Sequence, residues 1–241
     1  MRAISIIYRR ELGAYLRSPL SWVIAAVLLL VQGILFYAFA MSGDQLSAYV
    51  LERFFYLSSG IAIAAGLLLS FRLISEERQT HSMVLLTTSP VRDTEIISAK
   101  FLAALTYLAL LLLLSLYIPL LIKVNGKITM AQVMVGYLGL FLLGGTVLSI
   151  GLFASSLAKS QLIVAILATA MVIVMVVLYP LAKVMDPPVQ TVFQELDLWW
   201  IHFQQGFMRG VLNLKDVVFY LGVSYFFLLL ATKTLEAKRW Q

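Results

Sequence analysis

Few side chains in this sequence have the type and the spacing that a catalytic or metal-binding site requires. Glu76, Glu77 and Asp93 are carboxylates in one short polar region, and carboxylate oxygens are ligands that divalent cations prefer. Glu76 and Glu77 would point in different directions on a helix, which disfavours a shared cation. His81 and His202 fall on opposite faces of a membrane in the topology derived below, and each is interpreted as a hydrogen-bonding surface residue. We therefore expect no metal site and no catalytic residue.

The composition excludes a soluble globular domain. Of 241 residues, 61% are hydrophobic and 12% are charged, whereas soluble domains have about 25% charged residues. The sequence contains no cysteine and no G-x-x-x-x-G-K-[ST] motif, so it has neither thiol chemistry nor its own phosphate-binding loop. The net charge of +6 comes from Lys and Arg scattered beside apolar runs, without the aromatic-rich basic cluster of a nucleic-acid binder. We predict an integral membrane protein that binds no nucleic acid.

Six apolar runs predict six transmembrane helices. Each run approaches or exceeds the ~20 residues that a helix needs to cross the hydrocarbon core. The predicted spans are residues 19–41, 54–74, 100–122, 131–157, 161–183 and 216–234, within one domain that covers 1–241. Both termini then lie on one side, together with residues 72–100, and 12 of the 18 Lys and Arg residues are on that side. The positive-inside rule predicts that this side is cytoplasmic.

The first residues predict an amphipathic helix on the membrane surface. Over residues 2–17, Ile4, Ile7 and Leu12 share one stripe of a helix, and Arg2 and Arg9 lie on the opposite stripe. The Ser-Pro pair at 18–19 favours a new helix start, because Ser caps helix N-termini and Pro suits the first turn.

The densest charged segment is residues 72–100, between the second and third spans. Periodicity predicts a short amphipathic helix over residues 75–90, which Ser89 and Pro90 would end. Asp93 and Glu95 fit the first turn of a helix that continues into the third span, because carboxylates there stabilise the helix dipole. A short helix held between two spans could act as a lever for a soluble partner, whereas a solvated hairpin would only fix topology.

Residues 186–212, before the last span, are too long for a tight turn and too apolar for a solvated loop. Two arrangements remain open: short helices that return partway into the membrane, and an aromatic belt that lies flat at its surface. Gly206 and Gly210 are the predicted hinges of the first arrangement.

Small and polar residues inside the spans have two interpretations. Ser58, Ser59 and Thr169 could line a path, although such residues more often form interhelical hydrogen bonds. Ala62 and Gly66, four residues apart, would let a second copy approach the second span closely. No Asp, Glu, Lys or Arg lies well inside a predicted span, which argues against a proton-coupled carrier.

The polar segment carries a family resemblance. Its pattern resembles the hallmark of ABC-2 type permeases, the membrane subunits of ATP-binding cassette transporters, through Glu76-Glu77-Arg78, Leu85-Leu86, Thr88-Ser89-Pro90-Val91, Glu95-Ile96 and Ala99-Lys100-Phe101. The pattern departs from the family at His81-Ser82 and Val84, where Gly-Thr and an acidic residue are usual. Within the family, the final loop is similar to that of gliding-motility permeases, through His202-Phe203, Gly206-Phe207, Arg209-Gly210 and Lys215-Asp216.

The resemblance implies a permease subunit of a bacterial inner membrane, with a coupling helix over 75–90 and re-entrant extracellular helices before the last span. A second copy or a paralogue, a separate dimeric ATPase that holds ATP and magnesium, and an accessory subunit are the implied partners. This chain itself would hold no cofactor, and its apolar spans suit an exported lipid, glycan or other amphiphile. The implied ATPase-coupling residues are Glu76, Glu77, Arg78, His81, Ser82, Met83, Leu85, Leu86, Ser89 and Pro90. The implied extracellular gate consists of Trp199, Trp200, His202, Phe203, Gly206, Phe207 and Gly210.

Two other functions remain open from the residues. One is a lipid-modifying enzyme in which Glu76, Glu77 and Asp93 hold a divalent ion at the headgroup surface. The other is a scaffold that anchors an extracellular machine and passes on ATPase-driven motion without transport. Activity without an ATPase would identify the first, and ATP turnover without a transported substrate would identify the second.

Overall fold

The structure, a computed structural model, describes residues 2–40, 46–75 and 91–239. These ranges are helical and contain no β-strand, which confirms the predicted all-α fold. The α-helices are α1 Arg2–Arg17, α2 Pro19–Ala40, α3 Ser47–Ser70, α4 Asp93–Ser115, α5 Tyr117–Asn125, α6 Met130–Leu157, α7 Gln161–Ala182, α8 Val189–Glu195 and α9 Leu214–Arg239. A π-helix at Trp200–Gln204 and a 3-10 helix at Phe207–Arg209 lie between α8 and α9.

Six helical stretches of the described chain are long and apolar enough to cross a membrane, as the sequence predicts. They are Pro19–Ala40, Ser47–Ser70, Asp93–Val124, Met130–Leu157, Gln161–Ala182 and Leu214–Lys238. We call the end of the bundle that holds Ser75, Val91 and the turn at residues 158–160 the terminal end. The opposite end, where residues 183–213 lie, is the distal end.

Several helix bounds differ from those expected from the sequence. The second span begins at Ser47 rather than at residue 54, because Arg53 continues the helix instead of ending it. The Arg53 guanidinium donates from Nε and Nη2 to the hydroxyl of Tyr49, one turn earlier, at 3.0 and 2.7 Å. The same helix ends at Ser70, short of the expected residue 74. The helix that leads into the third span begins at Asp93, as the sequence predicts, and Glu95 Oε2 accepts a hydrogen bond from the Arg92 amide at 3.2 Å.

The central helix of the bundle is α6. Of its most apolar stretch, 72% is buried, whereas only 17% is buried in the corresponding stretch of α2, α7 or α9. A Cβ on Gly66 of α3 would lie 2.8 Å from the Gly144 carbonyl oxygen of α6, so the two backbones are in direct contact. Ala62 is 1% exposed on the same helix. The prediction that Ala62 and Gly66 receive a second copy is therefore wrong, because this face packs within the chain.

Helix α1 packs against the first half of α4. Ile7 is buried in a cluster with Ile96 and Ala99, and the Tyr15 ring stacks on Tyr107 with centroids 5.2 Å apart. Part of the apolar stripe that the sequence assigns to the membrane surface is therefore covered by protein. Ile6 stays 68% exposed, so another part of α1 remains open to its surroundings.

Candidate functional site

The distal segment, residues 183–213, enters the bundle. The Leu198 amide donates to the Met175 carbonyl at 3.3 Å, and Met175 lies about 10 Å along α7 from its end at Ala182, at 1.5 Å per residue. The side chains of Leu198, Phe203 and Phe207 are fully buried in the main core cluster. Short helices therefore return into the bundle, and an aromatic belt that lies flat at the surface does not describe this part of the chain.

The two tryptophans join this segment to the spans. Trp199 Nε1 donates to the Ser59 hydroxyl of α3 at 2.8 Å. The Trp200 ring stacks on Tyr179 of α7, with ring centroids 5.8 Å apart and planes 21° apart. Two of the predicted gate residues thus connect the segment to two different spans, α3 and α7.

His202 and Asp216 form a buried pair that joins the π-helix to α9. His202 Nδ1 lies 2.7 Å from Asp216 Oδ1, and Nε2 lies 3.1 Å from the Glu195 carbonyl oxygen. A carbonyl oxygen only accepts, so the contact with Glu195 is a hydrogen bond in the tautomer that has a proton on Nε2. His202 is 0% exposed, so its interpretation as a surface residue is wrong, although it does form hydrogen bonds. Its ring stacks on Phe219 at a centroid distance of 3.8 Å.

Asp197 is a second buried carboxyl group of the distal segment. Its Oδ2 accepts hydrogen bonds from the amides of Trp199 and Ile201, both at 3.0 Å. Burial raises the pKa of Asp197 above its usual value, and the amide hydrogen bonds and the nearby His202 offset only part of that rise. Sequence analysis missed Asp197, and its only signal was an acidic residue directly before the run Leu-Trp-Trp. The hydroxyl of Tyr220 on α9 donates to the Leu198 carbonyl at 2.8 Å, next to this carboxyl group.

At the predicted hinge glycines, Gly206 and Gly210, other parts of the chain come close to the backbone. A Cβ on Gly206 would lie 2.8 Å from Asp216 Oδ2, so any larger residue would push against the His202–Asp216 pair. Gly210 has φ +76°, the left-handed region that favours glycine, and it packs against Gln132 at the start of α6. Hinge motion at these glycines stays a prediction.

At the terminal end, the predicted ATPase-coupling residues lie outside the described residues. They are Glu76, Glu77, Arg78, His81, Ser82, Met83, Leu85, Leu86, Ser89 and Pro90. The predicted helix over 75–90 therefore stays a prediction, and so does a cation held by Glu76 and Glu77. The structure does show how the chain enters this segment, because the amides of Ile74 and Ser75 both donate to Ser155 Oγ of α6 at 3.1 Å.

Two further polar contacts hold the terminal end together. Lys238 Nζ of α9 donates to the carbonyl oxygens of Ser156 and Leu157 at the end of α6, at 3.0 and 2.9 Å. Lys100 Nζ of α4 lies 3.1 Å from Glu11 Oε1 of α1, and their side chains are 2% and 16% exposed. Burial by itself would raise the pKa of Glu11, but the charges and hydrogen bonds of Lys100 and Arg10 lower it below its usual value.

The predicted path residues are mostly occupied by contacts between helices. The Ser58 hydroxyl accepts a hydrogen bond from Gln32 Nε2 of α2 at 2.7 Å, and both side chains are buried. Ser59 accepts the Trp199 hydrogen bond described above. Thr169 is half-buried on α7. Ser58 and Ser59 therefore join elements of one subunit, which is the alternative that the sequence also allowed.

These features can be compared with known proteins. The model of the family described as ABC-2 family transporter protein matches residues 5–231. The chain belongs to the ABC-2 transporter family. The match spans α1, the polar segment after α3 and the distal segment of this ABC-2 chain, so the resemblance inferred from residues 76–101 is confirmed at the level of the family. No curated protein matches the chain. The match does not reach a subgroup, and similarity to gliding-motility permeases stays a prediction.

Proposed function

We propose that this chain is the permease subunit of an ABC transporter that exports an amphiphile across a bacterial inner membrane. The observation that carries the proposal is the family match over residues 5–231. The six apolar helices supply the membrane-crossing part of such a subunit. The apolar composition of the spans supports a lipid, a lipid-linked glycan or another amphiphile as the substrate class.

A separate ATPase provides the energy. The sequence has no phosphate-binding loop, whereas an ABC transporter is driven by ATP hydrolysis. Two permease subunits, identical or paralogous, would pair with two ATPase subunits, and an accessory subunit could join them. The excess of Lys and Arg at the terminal end supports a cytoplasmic location for that end and for the docking partner.

The ATPase docks on residues 76–90. Support comes from the family resemblance of this segment and from the elements at its two ends. Its first end follows Ser75, whose amide is fixed to α6 through Ser155. Its second end leads into α4 at Asp93, and α4 carries α1 through Lys100 and Glu11. Force applied to the segment would therefore reach α3, α4, α6 and α1.

The distal segment acts as the gate on the outer side. Its support is that residues 198–207 pack among α3, α6 and α9 instead of lying at the surface. The predicted gate residues Trp199, Trp200, His202, Phe203, Gly206 and Phe207 belong to this packed unit, and Gly210 follows it. Displacement of the unit would open the bundle where its core is most aromatic.

Removal of two carboxylates from the polar segment tests the docking site. The variant Glu76→Ala with Glu77→Ala should lose co-purification of the ATPase and ATP turnover that depends on the permease. Mass spectrometry identifies the ATPase in the wild-type complex as a chain with the motif G-x-x-x-x-G-K-[ST]. The matched control is Lys233→Ala with Glu236→Ala, which removes an exposed ion pair of α9 at the same end.

The control should keep both the ATPase and its turnover. If the variant at 76–77 assembles and turns over ATP like the wild type, the docking site is wrong. If the wild-type chain carries out chemistry on lipids without any ATPase, the permease function itself is wrong.

A further inference from the structure

A cavity of about 500 Å³ opens at the distal end, beside the 3-10 helix of the distal segment. It lies where the end of α2, the beginning of α3 and the 3-10 helix meet. The described residues that line it are Phe39, Tyr49, Glu52, Arg53, Tyr56, Leu57 and Met208. Its size falls within the range of sites that bind small molecules, which is roughly 300–1,000 Å³.

The guanidinium of Arg53 is held in place at this cavity. Nε and Nη2 donate to the Tyr49 hydroxyl, Nη1 donates to the Phe39 carbonyl at 3.4 Å, and the group lies 5.1 Å from the centre of the Tyr49 ring. A guanidinium has five N–H groups, so one donor remains on each Nη atom. Two such donors match a phosphate in bidentate geometry. None of the ion pairs found within 2–40, 46–75 and 91–239 includes Arg53.

Glu52 places a negative charge at the same cavity. A carboxylate that lines the same cavity as the cation would repel a ligand that is purely anionic and would attract a positively charged group. Tyr49 and Tyr56 add aromatic faces, which also attract cations. The charges of the cavity therefore complement a ligand that carries both an anionic and a cationic group.

The remaining lining is apolar and continuous with the outside of the bundle. Phe39 is 53% exposed and Tyr49 is 41% exposed, and both lie near the ends of membrane-crossing helices. Aromatic residues at such positions sit at the level of the lipid headgroups. A ligand in this cavity can therefore keep its polar head at the charges and its tail along apolar side chains, as a bilayer lipid does.

We propose that the cavity binds one zwitterionic phospholipid that carries a primary ammonium group. The phosphate pairs with Arg53, the ammonium pairs with Glu52, and an acyl chain lies along Phe39 and Leu57. The proposal needs only a chain that crosses a membrane. It is independent of the ATPase and of the docking site at residues 76–90.

Native mass spectrometry of the purified chain with added lipid tests this site. The probes are phosphatidylethanolamine, phosphatidylcholine and phosphatidylglycerol. The wild-type chain should retain one phosphatidylethanolamine in preference to the other two. Arg53→Gln should weaken its retention about tenfold or more, the loss expected for one hydrogen bond to a charged group. Glu52→Gln should remove the preference over phosphatidylglycerol, because the carboxylate that selects the ammonium is gone.

Two further variants separate specific binding from general effects. Lys123→Gln removes an exposed cation at the same end that does not line the cavity, and it should bind lipid like the wild type. Leu57→Trp should reduce retention by filling the apolar part of the cavity without changing its charge. Size-exclusion elution and melting temperature establish that each variant is folded.

Two results would overturn the proposal. One is a folded Arg53→Gln variant that retains lipid like Lys123→Gln, which would mean a general lipid shell only. The other is a wild-type chain that retains phosphatidylglycerol as well as phosphatidylethanolamine. Neither result bears on the permease function, which is tested by ATPase assembly.

Discussion

The distal and terminal ends of the bundle are held by different kinds of contact. At the distal end, buried aromatic rings and the His202–Asp216 pair join the inserted segment to α9. At the terminal end, apolar packing of residues such as Ile7 and Ile74 is supplemented by polar contacts through Ser155, Lys238 and Glu11, which connect the helices. A tightly packed unit moves as one body, whereas a single hydrogen bond can be exchanged at little cost. The difference supports the proposal that the ATPase docks on residues 76–90 and that the distal segment moves together with α9.

Phe207→Ala should give the largest loss of stability, because Phe207 is fully buried and packs against Gly139 of α6. Removal of a buried Phe side chain costs about 3–5 kcal/mol. Denaturant unfolding in micelles measures the loss. Phe226→Ala on α9, where the ring is 55% exposed, is the matched control and should change stability far less. Equal losses for the two variants would show that the distal segment is not the packed unit described above.

Asp216→Asn should reduce stability by about 1.5–3 kcal/mol, the value of a hydrogen bond to a charged group. The substitution keeps the shape of the side chain and removes the carboxylate that pairs with His202. Unfolding by denaturant measures this loss as well. Because Lys215–Glu195 is an exposed pair at the same end, Lys215→Gln is a suitable control and should cost less than about 1 kcal/mol. A loss no larger than that of Lys215→Gln would mean that the buried pair does not hold the segment on α9.

Asp197 at the distal end and Glu11 at the terminal end should change the stability of the protein in opposite directions as pH rises. The raised pKa of Asp197 means that its protonated form favours the folded state, so this contribution is lost as pH rises above the unfolded-state pKa. The lowered pKa of Glu11 gives a contribution that is present above the unfolded-state pKa and is lost as pH falls through the folded pKa. Each group changes stability by at most ~1.4 kcal/mol per pH unit.

Unfolding free energies of the wild type, Asp197→Asn and Glu11→Gln over about pH 3–7 separate the two contributions. The stability of the wild type relative to Asp197→Asn should fall with rising pH. Its stability relative to Glu11→Gln should rise with pH. If the two stability differences change with pH in the same direction, Asp197 and Glu11 do not make opposite electrostatic contributions to folding.

Ser155→Ala should reduce stability by about 2 kcal/mol, because the hydroxyl that accepts two buried amide hydrogen bonds, worth about 1 kcal/mol each, is removed. Its effect on coupling should be larger than its effect on folding, since the lost contacts lie where the chain enters residues 76–90. ATP turnover per exported substrate in reconstituted vesicles measures coupling. Ser156→Ala is the matched control, because its hydroxyl bonds only within α6. If Ser155→Ala uses as much ATP per exported substrate as the wild type, the contact of Ser155 with the Ile74 and Ser75 amides does not transmit the motion of the ATPase.

Much of the fold could be predicted from the lengths of the apolar runs and from residues that favour the ends of helices. The six spans follow from runs long enough to cross a bilayer, and Asp93 with Glu95 marks the start of α4 because carboxylates favour the helix N-terminus. Arg53 misled the prediction of α3, since a charge in a helix is tolerated when Tyr49 pairs with it one turn away. The resemblance of residues 76–101 identified the family before any contact was known.

The contacts of the candidate site could not be predicted in the same way. Periodicity shows that Ala62 and Gly66 share a face, but it does not show whether α6 or a second copy covers that face. His202 lies in the distal segment and Asp216 lies 14 residues later on α9, and only the fold brings them within 2.7 Å of each other. Ser155 is one serine among several at the end of an apolar run, and its role depends on two amides from another span.

Distances between spin labels in the complex with the ATPase test most directly whether ATP binding moves the helices at the terminal end of the bundle. The chain has no cysteine, so introduced cysteines are labelled alone. The terminal pair is Arg92→Cys with Ala237→Cys, and the distal pair is Gln205→Cys with Val218→Cys, all at exposed positions. On ATP binding, the terminal distance should change by more than about 2 Å, the scale of helix shifts in such transitions, while the distal distance stays constant. A change in the distal distance with a constant terminal distance would contradict the account.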